Sequence, residues 1–154
     1  MTNNSKSQLD DRSRVAPTKA SDDLSTLCGR LAAHVHFQLM DHAFLRALWT
    51  NLDEIAPGVW RSNQPSPRRI RRYRDMGIST IISLRGGVGK SHHMFEERAC
   101  AETGITLITV ALSARKLLDR TRYLELFDLF DSVEKPFLMH CKSGADRAGL
   151  ASAL

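Results

Sequence analysis

Four short apolar runs, Gly58 to Arg61, Ile78 to Leu84, Ile105 to Val110 and Phe137 to His140, alternate along the chain with stretches whose apolar residues recur at helical spacing. Strands that alternate with helices pair mainly in parallel, because each helix supplies the crossover a parallel neighbour requires. The expected fold is therefore α/β: a mainly parallel central sheet flanked by helices, with ligand chemistry at the carboxyl ends of the strands. Helix limits are marked locally. Ser66 reads as an N-cap, Pro67 as the first helical residue and Gly77 as the stop. Ile70 and Tyr73 supply that helix's inward face, and Arg68, Arg69, Arg71, Arg72 and Arg74 its solvated one. Residues 92–103 form the next helix, and Asp119 to Val133 a third, with Tyr123, Leu126, Phe127, Phe130 and Val133 on one face.

The 154 residues, 42% of them hydrophobic, suffice for one modest core. Residues 1–20 are polar and expected to be disordered. Residues 21–51 form an N-terminal helical extension: Leu24, Leu27, Leu31, Val35 and Leu39, then Phe44, Leu45 and Leu48, recur as in one or two amphipathic helices that pack on the domain of residues 52–154. His34, His36 and His42 do not make a metal site, since His34 and His36 leave a helix on different faces and no carboxylate cluster completes a set. No apolar run approaches the ~18 residues of a membrane span, and Met1 to Asp23 lacks the apolar centre of a signal peptide. Three cysteines, Cys28, Cys100 and Cys141, are an odd number without paired metal spacing, which suits a reducing compartment. A cytoplasmic location is expected, without a metal or cofactor, and Cys28 and Cys100 are expected to be buried and inert.

Chemistry concentrates between Pro136 and Gly149. Phe137 to Met139 deliver Cys141 to a short polar loop, Lys142-Ser143-Gly144-Ala145-Asp146, and Arg147 to Leu154 begin a helix. A free thiol titrates at about 8.5 and falls to roughly 3.5–7.5 beside cationic groups or helix N-termini, and the loop offers both surroundings. Loop amides turned inward form an anion-binding nest, to which the helix dipole adds positive potential. Arg147 can grip two phosphate oxygens bidentately. The field that stabilises a thiolate also stabilises the phosphoryl transfer state, so the stretch is suited to attack on a phosphate ester without a metal.

His140, Cys141, Gly144 and Arg147 match the His-Cys-x5-Arg loop of the cysteine-dependent protein tyrosine and dual-specificity phosphatases, which this chain resembles from about residue 52 onward. Val59-Trp60-Arg61-Ser62-Asn63-Gln64-Pro65-Ser66-Pro67, followed by Ile81-Ile82-Ser83-Leu84-Arg85-Gly86, is similar to the opening of the atypical bacterial and plant/fungal branch. The resemblance implies a phosphatase acting on a phosphorylated protein or a small polyanionic phosphate ester. It further implies Cys141 as nucleophile, Arg147 as phosphate clamp, the His140 to Ala145 stretch as substrate cradle, and a loop-orienting role for His140.

Two departures qualify that reading. Ala148 stands where the family usually has a Ser or Thr that helps the cysteine leave, which implies slow turnover. The family's upstream general-acid aspartate has no counterpart either, for Gly104 to Leu118 contain no carboxylate. Asp146 and Asp119 are the candidate acids, each with a plainer reading as a helix-start carboxylate, and water is the other proton source. A catalytically weakened phosphate-binding module is the alternative function. Nucleic acid is a less fitting partner for the net charge of +5, since no aromatic platform accompanies the arginine-rich helix. Gly86-Gly87-Val88-Gly89-Lys90-Ser91 looks like a nucleotide-binding loop, but Leu84 occupies the position of its first required glycine, so a flexible turn is expected. The chain ends seven residues after Arg147, where the resembling domains continue, so either the helices near residues 24–50 take over that packing or an apolar face around Leu150, Ala151 and Leu154 is exposed, and poor solubility or self-association is expected.

Overall fold

A computed structural model describes residues 26–28, 31, 35, 49–116 and 119–154. In chain order the elements are β1 (Asp53–Ala56), β2 (Val59–Asn63), α1 (Pro67–Asp75), β3 (Thr80–Ser83), α2 (Ser91–Thr103), β4 (Thr106–Thr109), α3 (Arg120–Ser132), β5 (Phe137–Cys141) and α4 (Asp146–Ser152). They build one five-stranded sheet of order β1-β2-β5-β3-β4. β2, β5, β3 and β4 run parallel, and β1 is antiparallel to β2. The expected α/β architecture is the observed one.

The pleat explains how both sheet faces are covered. Successive strand residues point to opposite faces. Ile81 and Leu138 pack with Ile70 and Tyr73 of α1 and Ala99 and Cys100 of α2. Their neighbours Ile82, Phe137 and Met139 pack with Leu126 of α3 and Ala148 and Ala151 of α4. β3 and β5 are buried at every position, as central parallel strands enclosed between two helix layers must be.

β1 is the element that sequence pattern does not disclose. Its four residues, Asp-Glu-Ile-Ala, are mostly exposed and show no apolar alternation. It forms because Gly58 turns the chain back on β2, where the Arg61 guanidinium meets Asp53 at 2.8 Å. The glycine-rich stretch after β3 is a turn, as expected, closed by the Lys90 amide donating to the Gly87 carbonyl at 3.0 Å.

Four expectations need correction. Cys28 is exposed. Leu27, Leu31 and Val35, the described members of the apolar stripe, are exposed as well: periodicity defines an apolar face but not what covers it. The histidines 34, 36 and 42, the tail 1–20 and most of the 21–51 segment lie outside the described residues. Arg69 does not belong to the solvated face of α1. Its guanidinium bonds the Asn63 side chain, the Tyr73 hydroxyl and, at 3.4 Å, the Thr50 carbonyl. Ala151 is buried rather than exposed, because α4 lays its Ala148 and Ala151 side against the core; Leu150 is half-buried and Leu154 exposed.

Candidate active site

β5 ends at Cys141, and the same alternation that builds the core assigns its last two side chains to opposite faces. Cys141 points to the α3 and α4 side, within the cluster that holds Met139 and Ala148. His140 points the other way, to α2, where its Nε2 lies 2.5 Å from Oε1 of Glu96. Both residues are buried. The ring's Nδ1 lies 3.3 Å from the Cys141 carbonyl oxygen, so both ring nitrogens face oxygen atoms. Burial pushes the Glu96 carboxyl upward, but the His140 charge and a hydrogen bond from Gln64 outweigh it and hold the group below its ordinary range.

Gln64, the first residue after β2, is the hub of this network. Its Nε2 donates to the other Glu96 oxygen at 3.0 Å, its Oε1 accepts from Arg85 at 3.3 Å, and its backbone amide donates to the Lys142 carbonyl at 3.3 Å. Buried Gln64 thus joins the carboxyl ends of β2, β3 and β5 to the loop.

The loop's shape depends on Gly144, which has φ +77°. A Cβ there would lie 2.8 Å from the Asn63 nitrogen and the Ser62 carbonyl carbon, and 2.9 Å from Asn51 Cβ. The closest two atoms belong to backbone locked in the sheet, so they cannot yield. We predict that Gly144→Ala lowers stability by about 2 kcal/mol or more, from left-handed strain plus overpacking, and removes vanadate binding; thermal melts and vanadate titration measure both. The Gly144 amide donates to Cys141 Sγ at 3.3 Å, a bond that strengthens with negative charge on sulfur.

The remaining predicted site residues are placed around this frame. Lys142 and Ser143 are half-buried, and Ala145 is exposed. Asp146 opens α4 and is exposed, adding a carboxylate where the dipole favours one. Arg147 is half-buried, and its Nε is buried without a hydrogen-bond acceptor among the described residues. Asp119 caps α3 and accepts the Arg122 amide at 2.9 Å. Ala148 is fully buried in the core.

Sequence reasoning missed Asn51, Asn63, Glu96 and Arg69 as parts of the site. Glu96 has no motif around it, and only the pairing of α2 with the His140 face reveals it. Among the described residues no group of three His, Cys, Asp or Glu side chains is placed to hold a metal ion, and no helix is long and apolar enough to cross a membrane. A separate cavity of about 440 Å³ opens at the β4 edge between His93, Glu97, Cys100 and Thr109, and no loop residue lines it. Cys100 is buried as expected, and burial, then Glu96 and Glu97, pushes its thiol up to about 12.

The tyrosine phosphatase family profile matches residues 53–154, about two thirds of the chain. The chain belongs to the tyrosine phosphatase family. No curated protein matches it. Solved structures share the fold: a putative phosphatase from Shewanella putrefaciens CN-32 (TM-score 0.57, 18% identity, 66% of this chain and 67% of that one), P. aeruginosa TpbA (0.56, 23%, 68% and 61%) and the catalytic core of the PP-IP phosphatase SIW14 from S. cerevisiae, crystallised with citrate (0.57, 18%, 66% and 62%). The chain thus spans only about three fifths of the TpbA and SIW14 structures. Family and fold together support a phosphatase and agree with the resemblance carried by the Cys141 loop.

Proposed function

We propose that the chain hydrolyses phosphate monoesters through a phosphocysteine intermediate. The observation that carries this reading is the buried Nε of Arg147, a charged donor without an acceptor among the described residues, at the foot of the Cys141 loop. Such a group is costly unless something anionic meets it. In the proposed reaction Cys141 Sγ attacks phosphorus, the S–P bond forms as the ester P–O bond breaks, and Arg147 and the loop amides hold the equatorial oxygens. The departing oxygen takes a proton from Asp146, because Asp119 is committed to its cap. Water then attacks phosphorus and gives its proton to the Asp146 carboxylate, the S–P bond breaks, and inorganic phosphate and the thiolate are released. His140, Lys142, Ser143, Gly144 and Ala145 shape the cradle, with His140 contributing positive charge and orientation.

A phosphorylated protein or a small polyanionic phosphate ester is the substrate class proposed. A TpbA variant was crystallised with pTyr, and SIW14 is described as a PP-IP phosphatase; these similar folds span both substrate types. Arg85 and Lys142 near the loop suit a multiply charged ester. The three free cysteines suit a reducing, cytoplasmic setting.

One observation favours the second reading, a weakened phosphate-binding module: Ala148 is fully buried and brings no hydroxyl to assist the leaving thiolate. Rapid-quench hydrolysis of p-nitrophenyl phosphate separates the two. We expect a burst approaching one nitrophenol per chain, followed by a slower vanadate-sensitive steady state, with phosphate recovered on Cys141 in acid-quenched samples. Phosphate-dependent stabilisation without any nitrophenol release would establish the binding module instead.

A further inference from the structure

Asn51 is the sole non-glycine residue with positive φ among the described residues, at 47°. Asparagine tolerates this region better than most residues, yet a strained position persists only where surrounding contacts impose it. Those contacts come from the adjoining segment. The Asn63 amide donates to the Thr50 carbonyl at 2.9 Å, the Asn63 side chain donates to the Trp49 carbonyl, and Arg69 reaches the Thr50 carbonyl from α1. Trp49 to Asn51 are thereby pinned across the end of β2. The side chain so presented donates from Nδ2 to the Ser143 carbonyl at 2.8 Å, spanning 92 residues of sequence.

That bond controls the neighbouring amide. Within a trans peptide the carbonyl and the N–H point in opposite directions, so fixing the Ser143 carbonyl outward turns the Gly144 N–H inward. The inward side holds Cys141 Sγ, to which this amide donates. Gln64 does the same one peptide earlier by holding the Lys142 carbonyl.

We propose that Asn51 is a positioning residue for catalysis, holding the Ser143–Gly144 peptide so that its amide faces the thiolate and then the transferring phosphoryl group. This rests on the phosphatase reading above and adds a residue that acts through the loop without touching substrate. It requires loss of function without loss of fold. Asn51→Gly suits that test, because glycine adopts positive φ freely and the substitution removes only the side chain.

The experiment compares wild type, Asn51→Gly and Asn51→Asp by thermal melt, p-nitrophenyl phosphate kinetics and vanadate inhibition. Asn51→Gly should melt within about 3 °C of wild type, with vanadate inhibition weakened about tenfold, as expected for a single lost hydrogen bond near an anion. Asn51→Asp, which sets a carboxylate against a carbonyl, should lose on the order of a hundredfold in kcat/KM. Wild-type vanadate inhibition in Asn51→Gly, or losses that track a lowered melt, would overturn the positioning role while leaving the phosphatase intact. A wild type without vanadate-sensitive turnover would instead remove the phosphatase reading, and this role with it.

Discussion

Cys141→Ser will lose p-nitrophenyl phosphate turnover by on the order of 10^4-fold or more, the scale on which removal of a covalent nucleophile acts. The replaced atom is one sulfur, so the cradle should survive. The loop keeps the bonds from Asn51 to the Ser143 carbonyl and from Gln64 to the Lys142 carbonyl, and Arg147 keeps its buried Nε. Inorganic phosphate should therefore still raise the mutant's melting temperature, an effect that follows binding to the native state alone. Substantial residual turnover in this mutant would reject the covalent route. Loss of both turnover and phosphate stabilisation would show that the sulfur shapes the loop as well as reacting.

Glu96→Ala should destabilise the protein by about 3–5 kcal/mol, because truncating one member of a buried ion pair strands its partner. The partner here is His140, fully buried on the sheet face opposite Cys141, and Gln64 loses its acceptor too. Calorimetry should show a melting temperature lowered by about 10 °C or more. Glu96→Gln, which keeps the shape, should lose less. Glu96 has a folded-state pKa below its ordinary value of 4.5. Its stabilising contribution is thus complete above that value and disappears as pH falls through the lower folded one. Wild type should accordingly lose stability more steeply than Glu96→Gln on acidification below about pH 4.5. Parallel acid limbs in the two proteins would contradict the assigned charge pair.

Much of this fold is legible locally. Pro67 starts α1, Gly104 ends α2 with left-handed φ, and the β5 run carries Cys141 to the strand's carboxyl end. The Cys141–Arg147 loop could be read because its chemistry lies within seven consecutive residues. The buttress could not, since Asn51 meets Ser143 and Gln64 meets Glu96 across 92 and 32 residues. Arg69 illustrates a further limit: five arginines in one short helix look alike, and only the neighbouring Asn63 and Tyr73 single one out. β1 escaped notice because its pairing is supplied by β2 and a turn rather than by its own apolar pattern.

The pinned segment from Trp49 to Asn51 also bears on where this unit can be divided. The family match opens at Asp53, and a boundary drawn from composition falls just after Asn51. A unit excised at either point would keep the five strands and the four helices that flank the sheet, yet would leave the Ser143 carbonyl without Asn51 and the Asn63 Nδ2 without the Trp49 carbonyl. We predict that such a fragment keeps the circular dichroism of a sound domain while its vanadate binding falls, the result expected if the working unit begins before the folding unit does.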